Sequence, residues 1–335
     1  MNKQFNKQMP QATEKNMLSL AAAIPELKEV EEKLLEIVSA NSTITAEIGN
    51  HLISSGGKRL RPLLTILSGS QFKSNPSQLV TAGTAIELIH MASLVHDDII
   101  DKADTRRGVS SVNAKWGDKT AVLMGDYLFA KAFGLLAKEK LYTILQMAVD
   151  CIQEMCDGEI QQNKDKFNLE QTRGNYYRRI YQKTAKLIGV CCRAGAIAAN
   201  ATKEEQLALE QYGLHLGFAF QITDDILDFI GQEEILGKPV ASDLAQGNLT
   251  LPVLLLRKDA KWGPWLANKL KEKNLLPNDL LKVREALKKS GAINASIARA
   301  YLHINKAKKQ LLKLPSSPYR GAMESIANMI VCRNY

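Results

Sequence analysis

Apolar residues recur at intervals of three and four along almost the whole chain, the spacing of one face of a helix. Residues 27–38 show it first, with Glu and Lys between the apolar positions. Longer stretches follow at 78–100, 119–140, 142–157, 176–199 and 204–229. Within 119–140 the expected buried stripe is Met124, Leu128, Ala132, Leu135 and Leu136. Prolines gather at breaks, at Pro239, Pro252, Pro264, Pro277 and Pro315. No alternating strand series with tight-turn dipeptides is present, nor a Rossmann glycine fingerprint or a P-loop. The pattern predicts an all-α protein: a single bundle of packed helices over 16–335, with its site between facing core helices. Residues 1–15 are polar and expected to be disordered.

Composition narrows this picture. The net charge is +9, but 257–320 holds 16 Lys and Arg against 4 Asp and Glu, so the rest of the chain is net negative. The basic third reads first as solvated helix faces, and second as a surface for an anionic membrane or anionic substrate. No nucleic-acid motif accompanies it, so nucleic acid is not an expected partner. The five cysteines, Cys151, Cys156, Cys191, Cys192 and Cys332, show no metal-binding spacing. Their odd number fits a reducing, cytoplasmic setting. No stretch is expected to span a membrane, and no signal peptide is expected at the N-terminus.

The chemistry is carried by two copies of one acidic pattern. Asp97-Asp98-Ile99-Ile100-Asp101 lies at the end of one apolar run, and Asp224-Asp225-Ile226-Leu227-Asp228 at the end of another. On a helix, positions i, i+1 and i+4 project from one side, so each copy gathers three carboxylates that repel one another. Their apolar surroundings make the patches costly unless a cation sits there. Sparse hard oxygen donors suit Mg²⁺, which takes the rest of its shell from water and substrate phosphate. Two facing patches would hold metal around one diphosphate.

A basic turn complements the acids. Gly56-Gly57-Lys58-Arg59-Leu60-Arg61-Pro62 opens an apolar run. Lys58 and Arg61, at i and i+3, are expected to share a face and converge on a polyanion. Arg106 and Arg107 follow the first acidic pattern closely, and His90 lies two turns before Asp97.

In this order and over most of the chain, these pieces resemble the trans-isoprenyl diphosphate synthases. The likeness runs through 57–62, 88–90, 97–108, Gly125-Asp126-Tyr127-Leu128, Lys183-Thr184-Ala185, 217–228 and 236–252. Within that family it is nearest in pattern to long-chain polyprenyl synthases that make quinone side chains. The resemblance implies helices around a deep central cavity, usually in a homodimer. It implies that Lys58, Arg61, His90 and Arg107 bind isopentenyl diphosphate. Arg106, Lys183, Thr184, Gln221 and Lys238 would bind or flank the allylic diphosphate. Asp97, Asp101 and Asp224 would lead as Mg²⁺ ligands, with Asp98, Asp225 and Asp228 in or near the shell. Ala92 and Ser93, one turn before Asp97, are small and would leave room for a long product. A shorter-chain farnesyl or geranylgeranyl synthase, a terpene cyclase and a non-catalytic subunit are the rival readings. The first is opposed by Ala92 and Ser93, the second by the basic turn, the third by intact acidic patterns. A catalytic subunit that needs a small helper protein stays open, as does peripheral membrane contact for product release.

Overall fold

A computed structural model describes residues 24–39, 43–231, 240–273 and 275–332. The expectation for 1–15 and the role given to Lys238 lie outside these residues. The helices begin with α1 (Pro25–Ser39), α2 (Thr43–Ser54), α3 (Leu60–Gly69) and α4 (Pro76–Ile100). A two-stranded ribbon, Thr105–Arg106 against Val109–Ser110, precedes α5 (Val112–Trp116), α6 (Asp118–Lys138) and α7 (Tyr142–Lys164). Next come α8 (Arg173–Ile180), a π-helical turn (Tyr181–Ala185), α9 (Lys186–Ala198) and α10 (Lys203–Ile230). The chain closes with α11 (Ser242–Ala245), α12 (Leu251–Leu256), α13 (Gly263–Lys271), α14 (Pro277–Lys289), α15 (Ala292–Leu311) and α16 (Pro318–Val331). Every helical run foreseen from periodicity is present, and α7 continues a further seven residues to Lys164.

Local chemistry starts the two helices that matter most. Asn75 accepts from the Ser77 amide and Pro76 occupies the first turn, so α4 has both a cap and a preset φ. Thr202 and Glu205 form a reciprocal capping box at the start of α10. Buried apolar side chains form two clusters. The larger takes α1, α3, α4, α6, α9 and the first half of α10, including Leu209, Tyr212 and Leu216. The second surrounds α12 to α15 and takes Ile222, Ile226 and Phe229 from the second half of α10. Two helices therefore belong to both clusters, since α15 gives Ala292, Ile293 and Ala300 to the second and Ile304, Ala307 and Leu311 to the larger.

Among the described residues two helices are long and apolar enough to cross a membrane, against the expectation of none. In α4 that surface meets protein, with 83% of its most apolar window buried. In α6 only 33% is buried. Met124, Leu128, Ala132 and Leu136 point inward as foreseen, Leu135 is half-buried, and Val122 and Leu123 stand exposed at 43% and 68%.

The close approach of α10 to the π-turn depends on Gly217. A Cβ there would lie 2.5 Å from the Ala185 Cα. Gly217→Ala should push the two backbones apart and destabilise the protein by roughly 1–3 kcal/mol, seen as a lower urea midpoint. An unchanged midpoint would refute the contact.

Candidate active site

The last turn of α4 delivers Asp97, Asp98 and Asp101, but the three carboxylates do not share one surrounding. Asp97 and Asp101 both feel Lys183 from the π-turn and Glu159 from α7. Burial pushes the Asp97 carboxyl up to about 6, with Lys183 opposing and Glu159 and Asp101 adding repulsion. Asp101 is pushed up for the same first reason. Lys183 Nζ sits 2.5 Å from Glu159 Oε2. Glu159 was not foreseen; the only sequence hint is its place beside Gly158, whose missing Cβ admits Gln182.

Asp98 turns elsewhere, contrary to its expected place in the metal shell. It is 3% exposed and held by Arg106, whose Nε lies 2.8 Å from each carboxylate oxygen. Successive helical positions differ by about 100°, so Asp98 leaves the Asp97–Asp101 edge. Arg106 reaches it because Arg107 and Gly108, at φ 53° and 79°, reverse the ribbon as a two-residue loop. Arg106 thus pairs first with Asp98 here, not with an open phosphate site.

The basic residues gather on the other side of α4. Arg59 begins α3 from a left-handed conformation, φ 44°, so Lys58 and Arg61 do not lie on one helical turn as expected. Arg59 itself is buried against Glu31, Glu87 and the Ile53 carbonyl. It anchors the turn, a role its presence in a basic motif concealed. Arg61 is different. Burial lowers its guanidinium, and its Nε is enclosed without a hydrogen-bond partner. Arg107 donates to the Gly56 carbonyl. Gly57 makes the room, since a Cβ there would meet the Arg107 guanidinium at 2.7 Å. His90 is held well below its usual pKa by burial, then by Arg61 and Arg107, so it is neutral. Arg59, Glu87, His90, Asp98, Arg106 and Arg107 line one small cavity. Three foreseen anion-binding positions, Arg61, His90 and Arg107, therefore share one neighbourhood.

The second acidic pattern closes α10. Asp225 is 3% exposed and pushed up to about 7, chiefly by burial. It accepts from Tyr176 Oη at 2.6 Å and Gln221 Nε2 at 2.9 Å. Asp228, 1% exposed, accepts from Ser242 Oγ at 2.9 Å and the Asp243 amide at 3.3 Å, tying α10 to α11. Both foreseen shell positions are thus bound within the protein, whereas Asp224 is half-buried. Thr184 Oγ1 donates to Gln221 Oε1 at 2.7 Å. Lys183 therefore faces the first patch while its neighbour Thr184 bonds to the helix carrying the second. Tyr176 gave no sequence signal beyond helical spacing. Ala92 is fully enclosed in the main core, so its smallness serves packing; Ser93 keeps accessible surface and donates to the His90 carbonyl.

Among the described residues no three ligating side chains are pre-gathered as a metal cage. Asp97 and Asp101 instead form a sparse, crowded pair of hard donors. That fits a divalent ion whose coordination is completed by water and phosphate. Removing their repulsion is what a bound cation would contribute.

An all-α fold that brings two acid-tipped helices together with His90 and the arginines Arg59, Arg61, Arg106 and Arg107 is the arrangement of a prenyltransferase. The chain belongs to the polyprenyl synthetase family, whose profile matches residues 42–287. It is 41% identical over 311 residues to heptaprenyl diphosphate synthase component 2 of Bacillus subtilis, covering 91% of this chain and 87% of that one. It is 34% identical to octaprenyl diphosphate synthase of Haemophilus influenzae, covering 93% and 95%. Its structure resembles that of a Caulobacter crescentus polyprenyl synthase complexed with calcium and isoprenyl diphosphate, at TM-score 0.89 and 31% identity over 97% and 99%.

In the metal-free protein Asp97 and Asp225 sit at about 6 and about 7, above the ordinary 3.8. Their contribution to stability is complete below the unfolded value and lost as pH rises through the folded ones. Urea midpoints should show Asp225→Asn gaining on the parent between about pH 4 and about pH 7.5. A difference that does not vary with pH would contradict the buried, costly ionisation.

Proposed function

We propose that this chain makes a long all-trans polyprenyl diphosphate, for quinone side chains, by repeated addition of isopentenyl diphosphate to an allylic diphosphate. The observation that carries the reading is the placement of Lys183 and Thr184 between two acid-tipped helices, with the Arg61–His90–Arg107 group behind α4. Farnesyl or geranylgeranyl diphosphate is the proposed primer.

Asp97, Asp101 and Asp224 are the proposed ligands of Mg²⁺, which when bound neutralises the charge developing on the departing diphosphate. Lys183 leaves Glu159 to meet the same diphosphate, a charge-assisted contact stronger in the transition state. As the allylic C–O bond breaks, the oxygens of Thr184 and Gln221 face the cation. Arg61 and Arg107 hold isopentenyl diphosphate, and neutral His90 can donate to it without adding charge. The double bond of isopentenyl diphosphate supplies the electron pair of the new C–C bond, and the departing diphosphate takes the released proton. Water must be kept out, or the cation becomes an alcohol.

Ser93 is the proposed chain-length position. A second copy of the chain is proposed to cover the apolar face of α6 at Val122 and Leu123. A separate helper subunit is the second reading, because the Bacillus subtilis relative carries the name component 2. The free cysteines support a cytoplasmic location.

Asp97→Ala or Asp224→Ala should lower kcat by about a hundredfold or more with helicity intact. Parental turnover in either would remove the metal assignment. With purified chain, Mg²⁺, farnesyl diphosphate and labelled isopentenyl diphosphate, a product ladder ending in one long species is expected. A single added unit would select the shorter-chain reading, and no product from folded protein would select the helper subunit. Ser93→Phe should shorten the final species; an unchanged ladder would place the tunnel floor elsewhere.

A further inference from the structure

Tyr176 has no accessible surface, so it cannot touch a substrate. It is nonetheless one end of a hydrogen-bonded chain that finishes at the reaction. Tyr176 Oη donates to Asp225 Oδ2 at 2.6 Å, and the other carboxylate oxygen takes Gln221 Nε2 at 2.9 Å. Gln221 Oε1 is then the acceptor for Thr184 Oγ1 at 2.7 Å. The direction is set from the Asp225 end. With Asp225 ionised both carboxylate oxygens accept, so the Gln221 amide turns its NH₂ toward Asp225 and its oxygen toward Thr184. The one hydroxyl proton of Thr184 is committed to Gln221, and lone pairs are what its oxygen has left.

We propose that Tyr176 is a positioning residue for the condensation: acting through Asp225 and Gln221, it keeps the lone pairs of Thr184, and not its proton, turned toward the allylic cation. A reversed chain would aim the positive end of the hydroxyl at a carbocation, in a low-dielectric site where that orientation is costly. The supports of Tyr176 suit a fixed strut. Arg179 stands 5.5 Å from its ring centroid and donates to the Leu249 carbonyl at 2.8 Å and to Gln171 Oε1 at 3.3 Å. Tyr177 meets the ring edge-on at 5.5 Å. The strut therefore runs from α8 across α10 to the π-turn. The idea rests on the role proposed above for Thr184.

The test is a kinetic cycle on the full chain with Mg²⁺, isopentenyl diphosphate and farnesyl diphosphate, using Tyr176→Phe, Thr184→Val and the double variant. Tyr176→Phe should lower kcat about tenfold, the worth of one hydrogen bond to a charged group. KM for both diphosphates should stay within about twofold, since neither substrate touches Tyr176. In the Thr184→Val background the same change should cost less than about twofold, because no hydroxyl remains to be oriented. Losses that multiply in the double variant would overturn the strut, as would Tyr176→Phe at parental kcat. Thr184→Val at parental kcat would instead remove the role of Thr184, and the strut with it. If Tyr176→Phe does not fold, Asp225→Asn takes its place in the cycle. Its amide can donate to Gln221 Oε1 and reverse the chain, so coupling with Thr184→Val supports the strut and multiplication overturns it.

Discussion

Carboxylates crowded into a low-dielectric helical bundle are the constraint around which this site is arranged. Uncompensated, such groups either protonate or push their helices apart. Asp98 is compensated by the Arg106 fork and Asp228 by Ser242 and the Asp243 amide, whereas Tyr176 and Gln221 offset only part of the burial that raises Asp225 to about 7. Asp97 and Asp101 are served only in part by Lys183, because Glu159 competes for the same ammonium. The repulsion left at Asp97 and Asp101 is of the kind that a cation would relieve. The bonds of Asp98, Asp225 and Asp228 tie α4 to the ribbon and α10 to α8 and α11.

The same division separates structural from available positive charge. Arg59 and Arg61 are two residues apart in one motif, yet Arg59 is consumed by Glu31 and Glu87 while Arg61 keeps an unpaired, buried Nε. Burying a guanidinium without a full set of acceptors is costly, and in the proposed function a diphosphate would supply them. Arg107 and His90 stand close enough to Arg61 for His90 to remain neutral.

Catalytic geometry is set by backbone contact as much as by charge. The π-turn widens the helix between α8 and α9, a local cost that recurs at functional sites. Gly217 lets α10 come against that turn, which brings Thr184 within reach of Gln221 one helical turn later. Lys183 thereby faces α4 while Thr184 bonds to α10. No side-chain choice could compensate if the backbones stood farther apart.

Periodicity and composition were enough to specify an all-α chain, the extents of its long helices and its candidate acids and bases, though not Glu159 or Tyr176. The spacing of the acids, the glycine-rich basic turn and Lys183-Thr184 are local patterns, and local patterns survive in a one-dimensional reading. What only the tertiary structure decided is which way each of these side chains faces. Three acids within five residues look equivalent in sequence, yet 100° per residue sends neighbours toward different helices, and the partner waiting there fixes the role. Arg106, Tyr176 and Ser242 lie 8, 49 and 14 residues from the acids they hold. Ala92 and Ser93 divide for the same reason, one rotated into the core and the other toward accessible space. Pairings of that kind depend on helix packing, which brings distant residues together with no trace in their spacing along the chain.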